Sequence, residues 1–366
     1  MTKRILIIGG YGNFGSYISK TLAKENNITV IIAGRSIEKA RKLINTIEAG
    51  NTPEAVALDI TKNLDEALQD IKPDIVIHTS GPFQGQSYDV AGSCINARVH
   101  YIDLADARNF VSGIGALNDT AKKNKVLAVS GASSVPCLTS ALVDYYLPQF
   151  KTLESLDYGI TTAQKTNRGL ATTAAILGYV GRPFKTLIGG QEKDVYGWQS
   201  LHTRKYGTLG RFLGNCDVPD LELFPVRYPT LKNIRFYAGL EIPFIHMGLW
   251  ALSGLVRIGL IRNLAALAPF LLKSSFYFDW AGSDVSGFHM QLSGKDENGK
   301  DKTITFELTA RSGHGPYIPC MPAILLAKKL ASGEITMTGA TPCIGLITRD
   351  EYLSALKDLD IDWVDY

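Results

Sequence analysis

Along the first 146 residues, hydrophobic positions come in short runs. Each is followed by a polar or glycine-rich break and then by a helical pattern. The runs are Ile5–Ile8, Ile28–Ala33, Val56–Leu58, Asp74–His78, Tyr101–Leu104 and Val126–Val129. Between later runs lie helical patterns near Asn63–Asp70, Tyr88–Ala97 and Gly113–Lys123. Near-continuous apolar runs of this length suit strands buried on both faces. Repeated strand–helix units predict an α/β domain built on a parallel, doubly wound sheet. Ligands of such sheets sit beyond the carboxyl ends of the strands, so those breaks are the candidate site.

From about Lys151 the pattern lengthens. Leu153–Thr162, Val285–Ser293 and Lys302–Ala310 read as long strands, and Gly169–Val180 as a helix. The last two strands are joined by Asp296–Lys300, whose Asn298-Gly299 pair is a hairpin signal. A second α+β domain on a mostly antiparallel sheet is expected. Further on, Pro322–Leu330 reads as a helix and Ile335–Thr338 as a strand. Thr348-x-x-Glu351 has the form of a capping box opening a last helix.

Ile5–Gly15, ILIIGGYGNFG, gives the first strand a ligand. Gly10-x-Gly12-x-x-Gly15 stands between this strand and a helix on which Phe14, Ile18 and Leu22 recur every four residues. Gly10 permits the tight turn, Gly12 lets backbone approach a pyrophosphate, and Gly15 lets the helix sit close. The helix N-terminus then points N–H groups and a partial positive charge at phosphate. Tyr11, Asn13 and Phe14 fill the rest of this cofactor turn. After the second strand, where a carboxylate would hold an NAD ribose, stand Gly34, Arg35 and Ser36. A guanidinium binds a 2′-phosphate that a carboxylate would repel, so NADP is the expected cofactor.

Composition narrows the rest. The 366 residues, 45% hydrophobic and 20% charged, describe a two-domain globular chain. A net charge of +3 without a basic run argues against nucleic acid. The five cysteines are dispersed, with no metal spacing, so no metal is expected and a reducing cytoplasm fits. Ile242–Leu272 is the most apolar stretch, but His246, Arg257, Arg262 and Asn263 interrupt it. It falls short of the ~20 uncharged residues of a spanning helix. Buried or surface-docked helices are the expectation there, with peripheral membrane contact through 242–272 as the alternative.

Several segments resemble the saccharopine dehydrogenase-like oxidoreductases. They are GGYGNFG, AGRS at the second strand, Gly81-Pro82-Phe83, HYIDLAD at His100–Asp106, and Ser130–Pro136. GHGPYIPCMPA and GATPCIGLITRDEYL, toward the C-terminus, belong to the same set. The chain is also similar to trans-acting enoyl reductases of that broad group. The resemblance implies a Rossmann NADP-binding domain over 1–146 and a substrate and dimerisation domain over 147–320. A C-terminal segment, 321–366, would pack back on the first domain. It also implies a homodimer acting on a small molecule, with hydride transfer at a carbonyl, imine or enoyl carbon. Two other readings stay open: a non-catalytic NADP(H)-sensing protein, and an enzyme holding the nucleotide as a prosthetic group, as homospermidine synthase-like relatives do.

Hydride transfer to a carbonyl or imine needs a proton donor. Asp103 and Asp106, at the end of the fifth strand, are the carboxylate candidates, or else they cap the next helix. His314, in the Gly-rich stretch Arg311–Tyr317, is a third. Ser80, Gly81, Pro82 and Phe83 are expected over the pyrophosphate and nicotinamide ribose, and Asp59 beside the adenine.

Overall fold

The computed structural model describes residues 2–206 and 209–366. The chain forms two compact units: one runs up to Ala141 and adds Tyr317–Tyr352, the other joins Leu142–Pro316 to Leu353–Tyr366. Strands are numbered in chain order.

The first unit holds β1 (Lys3–Ile8), β2 (Ile28–Gly34), β3 (Glu54–Ala57), β4 (Ile75–His78), β5 (His100–Asp103), β6 (Leu127–Ser130) and β15 (Gly339–Pro342). They form one sheet in the order β15-β6-β5-β4-β1-β2-β3, every neighbouring pair parallel. The order reverses between β1 and β4, the switch point where doubly wound sheets bind ligands. Ile5, Leu6 and Ile7 are wholly buried, as the unbroken apolar runs require of a sheet covered on both faces. Helices α1 (Asn13–Leu22), α2 (Ile37–Ile44), α3 (Leu64–Ile71) and α4 (Asp89–Asn96) supply crossovers.

Two local readings need correction. The strand expected at Ile335–Thr338 begins instead at Gly339. Gly339 has a φ of +124°, which side-chain-bearing residues rarely adopt, and it opens the pairing with Leu127. The helix expected over Gly113–Lys123 is divided into a 3₁₀ turn, Gly113–Leu117, and a helix, Asn118–Asn124. The capping box forms as read: Glu351 Oε2 accepts from the Thr348 N–H at 2.7 Å, and Thr348 Oγ1 from the Glu351 N–H at 3.3 Å.

The second unit holds β7 (Thr152–Thr162), β8 (Pro183–Ile188), β9 (Gln191–Tyr196), β10 (His202–Tyr206), β11 (Leu209–Asn215), β12 (Asn233–Leu240), β13 (Ser286–Lys295), β14 (Asp301–Ala310) and β16 (Ile361–Asp365). Its large sheet runs β10-β11-β12-β7-β13-β14-β16. Only the β12–β7 pair is parallel. β8 and β9 form a separate hairpin. On one face of the large sheet Tyr158, Phe236, Met290 and Phe306 stand in register, all buried, and Tyr158 stacks on Phe224 from the helix Asp220–Arg227. The opposite face carries Asp157, Arg235, His289 and Glu307. The Asn298-Gly299 hairpin forms, with Gly299 at φ +75°.

The C-terminal stretch divides between the units. The helix Met321–Ser332 and β15 lie in the first, while β16 pairs with β14 in the second. The apolar 242–272 stretch forms two helices, Pro243–Arg257 and Ala268–Ser275, in the second unit.

Candidate functional site: a dinucleotide cradle and a buried acid

The turn after β1 is shaped by four glycines. A Cβ on Gly9 (φ +76°) would meet Ser80 Oγ at 2.6 Å and Thr79 Oγ1 at 2.8 Å, so β1 and β4 end in close contact. A Cβ on Gly10 would lie 2.8 Å from the Ile7 carbonyl, and one on Gly15 only 2.2 Å from the Gly9 carbonyl. Both glycines are required by the protein's own backbone. Gly12 differs. Its backbone is extended, φ −74° and ψ −179°, and a Cβ there would meet only the Gly9 carbonyl at 3.1 Å. Its bare face therefore opens on space rather than on protein. Gly12 is also the N-cap of α1, which has no side-chain cap and no acid in its first turn. An uncapped N-terminus behind an open glycine is the cradle a pyrophosphate needs, so the residues present fit a dinucleotide.

The end of β2 is occupied in a way the sequence pattern did not disclose. A Cβ on Gly34 would collide with the Tyr11 ring at 2.6 Å, and Tyr11 Oη accepts the Ser36 N–H at 3.0 Å. The Ser36 hydroxyl is engaged too. It accepts from the Lys39 N–H at 3.3 Å as the cap of α2 and donates to Glu38 at 2.9 Å. Arg35 is exposed and available. Asp59 accepts the Thr61 N–H at 3.1 Å and the Thr61 hydroxyl at 2.8 Å, and these bonds hold its pKa below the usual carboxylate value. Asn63, not Asp59, stands at the N-cap position of α3, and it makes no side-chain capping bond there.

Beyond β4 the loop Ser80–Phe83 includes a cis Gly81–Pro82 bond. Gln86 Nε2 ties it together, donating to the Ser80 carbonyl at 3.0 Å and the Pro82 carbonyl at 2.8 Å. Phe83 is 5% exposed, its ring edge-on to His78 at 5.1 Å and 5.4 Å from Phe110. His78 is itself buried. Its Nδ1 lies 3.1 Å from Tyr101 Oη, its Nε2 has no partner, and burial lowers its pKa to about 4.

Asp103 ends β5 with no solvent exposure. Its Oδ1 accepts the Gly131 N–H at 2.8 Å, the Ala105 N–H at 2.9 Å and the Ser130 hydroxyl at 3.0 Å. Its Oδ2 has no partner. Burial raises its pKa to about 6 against the pull of those three bonds and of the nearby Tyr101 hydroxyl. Asp106 is exposed, with one oxygen accepting from Gln84 Nε2 at 3.3 Å.

The first unit thus gathers the glycine turn, Arg35, Asp59, Ser80–Phe83, Asp103 and Asp106. His314 belongs to the second unit, where its Nδ1 accepts the Asp360 N–H at 2.8 Å, placing the neutral ring's proton on Nε2. Three participants went unread as such. Gln84 and Gln86 give no signal in one sequence. His78 at the end of an apolar run was visible but carried no spacing rule.

The family model described as saccharopine dehydrogenase NADP binding domain matches residues 5–129, the glycine cradle through β6. This part of the chain belongs to the saccharopine dehydrogenase-like NADP-binding family. NADP is therefore the cofactor of the cradle. A solved saccharopine dehydrogenase (L-Glu forming) from Saccharomyces cerevisiae covers 100% of this chain and 100% of its own at 14% identity, with a TM-score of 0.71. That likeness shows a common fold over the whole chain. An amine dehydrogenase from Mycobacterium smegmatis covers 96% of this chain and 95% of its own at 9% identity, with a TM-score of 0.49. Among curated proteins, glutamyl-tRNA reductase of Haloquadratum walsbyi is 28% identical over 161 residues. That match takes in 41% of this chain and 33% of the relative, so the chain spans about a third of its length.

Proposed function

We propose that the protein is an NADP-dependent oxidoreductase, moving a hydride to or from a carbonyl, imine or enoyl carbon of a small molecule. The carrying observation is Gly12, whose backbone suits any residue and whose missing side chain leaves space that only a ligand would use. The NADP-binding domain match and the dehydrogenase fold support an oxidoreductase.

NADP(H), when bound, supplies or accepts the hydride. The backbone of Gly10–Gly15 binds its phosphates, and Arg35 meets a 2′-phosphate as a planar charged donor. The tied loop Ser80–Phe83 presents a fixed backbone above the switch point. Asp106, solvent-accessible at the end of β5, contacts substrate and passes the balancing proton. Asp103 acts as a positioning residue, because its Oδ1 joins the end of β5 to Ser130 and Gly131 at the end of β6. The five cysteines are buried and free of disulfides, which suits a reducing compartment such as the cytoplasm. A homodimer, the assembly expected from the resemblance, is checked by equilibrium sedimentation.

The test is NADPH consumption with panels of aldehydes, imines formed in situ and enoyl thioesters. One class should turn over. Asp106→Asn should lower kcat by about 10²-fold or more while NADPH affinity holds. Tight NADPH binding with no turnover on any panel would instead make the chain a nucleotide sensor.

A further inference from the structure

The helix Pro243–Arg257 is inside out. Its buried residues are His246, Leu249, Ser253 and Val256, so two of its four inward positions are polar. Its exposed stripe is Phe244, Gly248, Ala251 and Leu255, continued by Ile258, at spacings of three and four with no polar side chain. A helix facing water on one side shows the reverse arrangement. The chain beyond it repeats the pattern. Ile258 is 69% exposed, Leu260 72%, Phe270 68%, Tyr277 73% and Trp280 81%. Phe244 meets Phe278 edge-on at 5.1 Å, bringing the start of the helix to the aromatic turn 276–281. Scattered apolar side chains on a surface are ordinary; an apolar stripe on a helix that meets an exposed aromatic turn marks a contact surface.

Charge selects the occupant. Between residues 243 and 281 the cations are Arg257, Arg262 and Lys273, all exposed, and the single carboxylate is Asp279. Asp279 is already engaged, by Arg168 at 2.6 Å and Gln164 at 3.0 Å. A second copy docking face to face would set these cations against their own equivalents with no available carboxylate opposite. An anionic surface meets them, and tryptophan, tyrosine and phenylalanine beside arginine and lysine match the polar–apolar boundary of a bilayer. No helix among the described residues is long and apolar enough to cross a membrane. We propose that residues 243–281 lay the second unit flat on an anionic phospholipid bilayer, with Phe244, Leu255, Ile258, Leu260, Phe270, Tyr277 and Trp280 in the interface and Arg257, Arg262 and Lys273 at the headgroups.

Vesicle co-sedimentation of the full chain tests this. One set of vesicles is phosphatidylcholine alone, and the other carries about 30% phosphatidylserine. The chain should bind the anionic vesicles at least about tenfold better, with binding falling as salt rises. A Leu260→Ser, Phe270→Ser, Trp280→Ser triple variant should lose at least about tenfold of that binding. Arg262→Glu with Lys273→Glu should remove the preference for anionic vesicles. Thermal unfolding and NADPH affinity, read in parallel, should be unchanged in both variants, so a lost surface is distinguished from a lost fold. The proposal is overturned if the wild type stays in solution with both vesicle types, or if the triple variant binds as well as the wild type. It is equally overturned if sedimentation shows a dimer that the triple variant dissociates, which would assign the face to a second copy.

Discussion

The parallel sheet of the first unit and the mixed sheet of the second leave different parts of themselves open. In the first, Ile5–Ile7, Val30–Ile32 and Val76 are buried completely, and chemistry is confined to the edge where the strands end. There Gly12, Ser80–Phe83, Asp103 and Asp106 stand. In the second, Tyr158, Met290 and Phe306 make one apolar face, while the other is spread with Asp157, Arg235, His289 and Glu307. Burial on both faces concentrates function at a few backbone turns. A face that mixes buried His289 with half-buried Asp157, Arg235 and Glu307 spreads polar groups widely and leaves no single residue indispensable. Substitutions of Gly12 or Arg35 at the edge should therefore change ligand binding at little cost to folding, and substitutions in the second sheet the reverse.

The largest effect expected is on Gly12. Its φ of −74° suits any residue, and a Cβ there meets only one backbone oxygen at 3.1 Å. Gly12→Val should fold with little change in melting temperature and bind no NADPH by titration calorimetry. Retained affinity in the folded variant would make the glycine turn a purely structural device and dissolve the contrast between edge and face.

Leu292 makes the converse case. It is fully buried on the apolar face, in register with Leu156 and Ile304. Leu292→Ala should destabilise the second unit by about 2–5 kcal/mol, the range for a buried leucine truncated to a methyl. NADPH affinity should stay within about twofold, since nothing in the glycine cradle is touched. A large loss of NADPH affinity would show the two units to be energetically coupled.

The same contrast decides what could be read from sequence. β1, β2, β4, β5 and β6 announced themselves because strands buried on both faces are nearly unbroken apolar runs, and the glycine turn because its spacing answers a fixed ligand geometry. β8 to β12 were not read. Their residues, among them Lys185, Glu192, Lys193, Asp194 and Lys205, mix charge into every few positions. A strand with one wet face gives only alternation, which a twisted, irregular strand blurs. At the site, Gly10, Gly12 and Gly15 were legible because each has a steric reason. Gln86, which fixes the Ser80–Pro82 loop, was not, because a glutamine reaching back to two carbonyls leaves no periodic trace. The exposed stripe on Pro243–Arg257 was legible only as hydrophobicity; which side faced outward required the fold.

Asp103 sharpens the edge side of the comparison through pH. Its native pKa is raised to about 6 from the usual 3.8, so the folded protein holds the proton more tightly than the unfolded chain. The stability this contributes is complete below about 3.8 and is lost as pH rises to about 6. At about 1.4 kcal/mol per unit, the loss is on the order of 3 kcal/mol. Asp103→Asn keeps an acceptor for Ser130, Gly131 and Ala105 and removes the charge. The wild-type denaturation midpoint should fall relative to this variant between pH 4 and pH 6, and parallel profiles would show that Asp103 does not titrate there.

The smallest effect lies at the end of β2, where two neighbouring residues should separate binding from folding. Arg35 is exposed, and its guanidinium suits a 2′-phosphate. Ser36 has its hydroxyl committed to the Lys39 N–H and to Glu38. Arg35→Ala should weaken NADPH by about 1.5–3 kcal/mol, the worth of a hydrogen bond to a charged group, and leave NADH nearly untouched. Ser36→Ala should cost about 0.5–2 kcal/mol of stability through the lost helix cap and leave the NADPH-to-NADH ratio where it was. Measured side by side, the pair asks whether discrimination at this edge comes from a single exposed side chain. If Ser36→Ala moves the nucleotide ratio and Arg35→Ala does not, the 2′-phosphate is read by the α2 N-terminus, and the assignment of Arg35 fails.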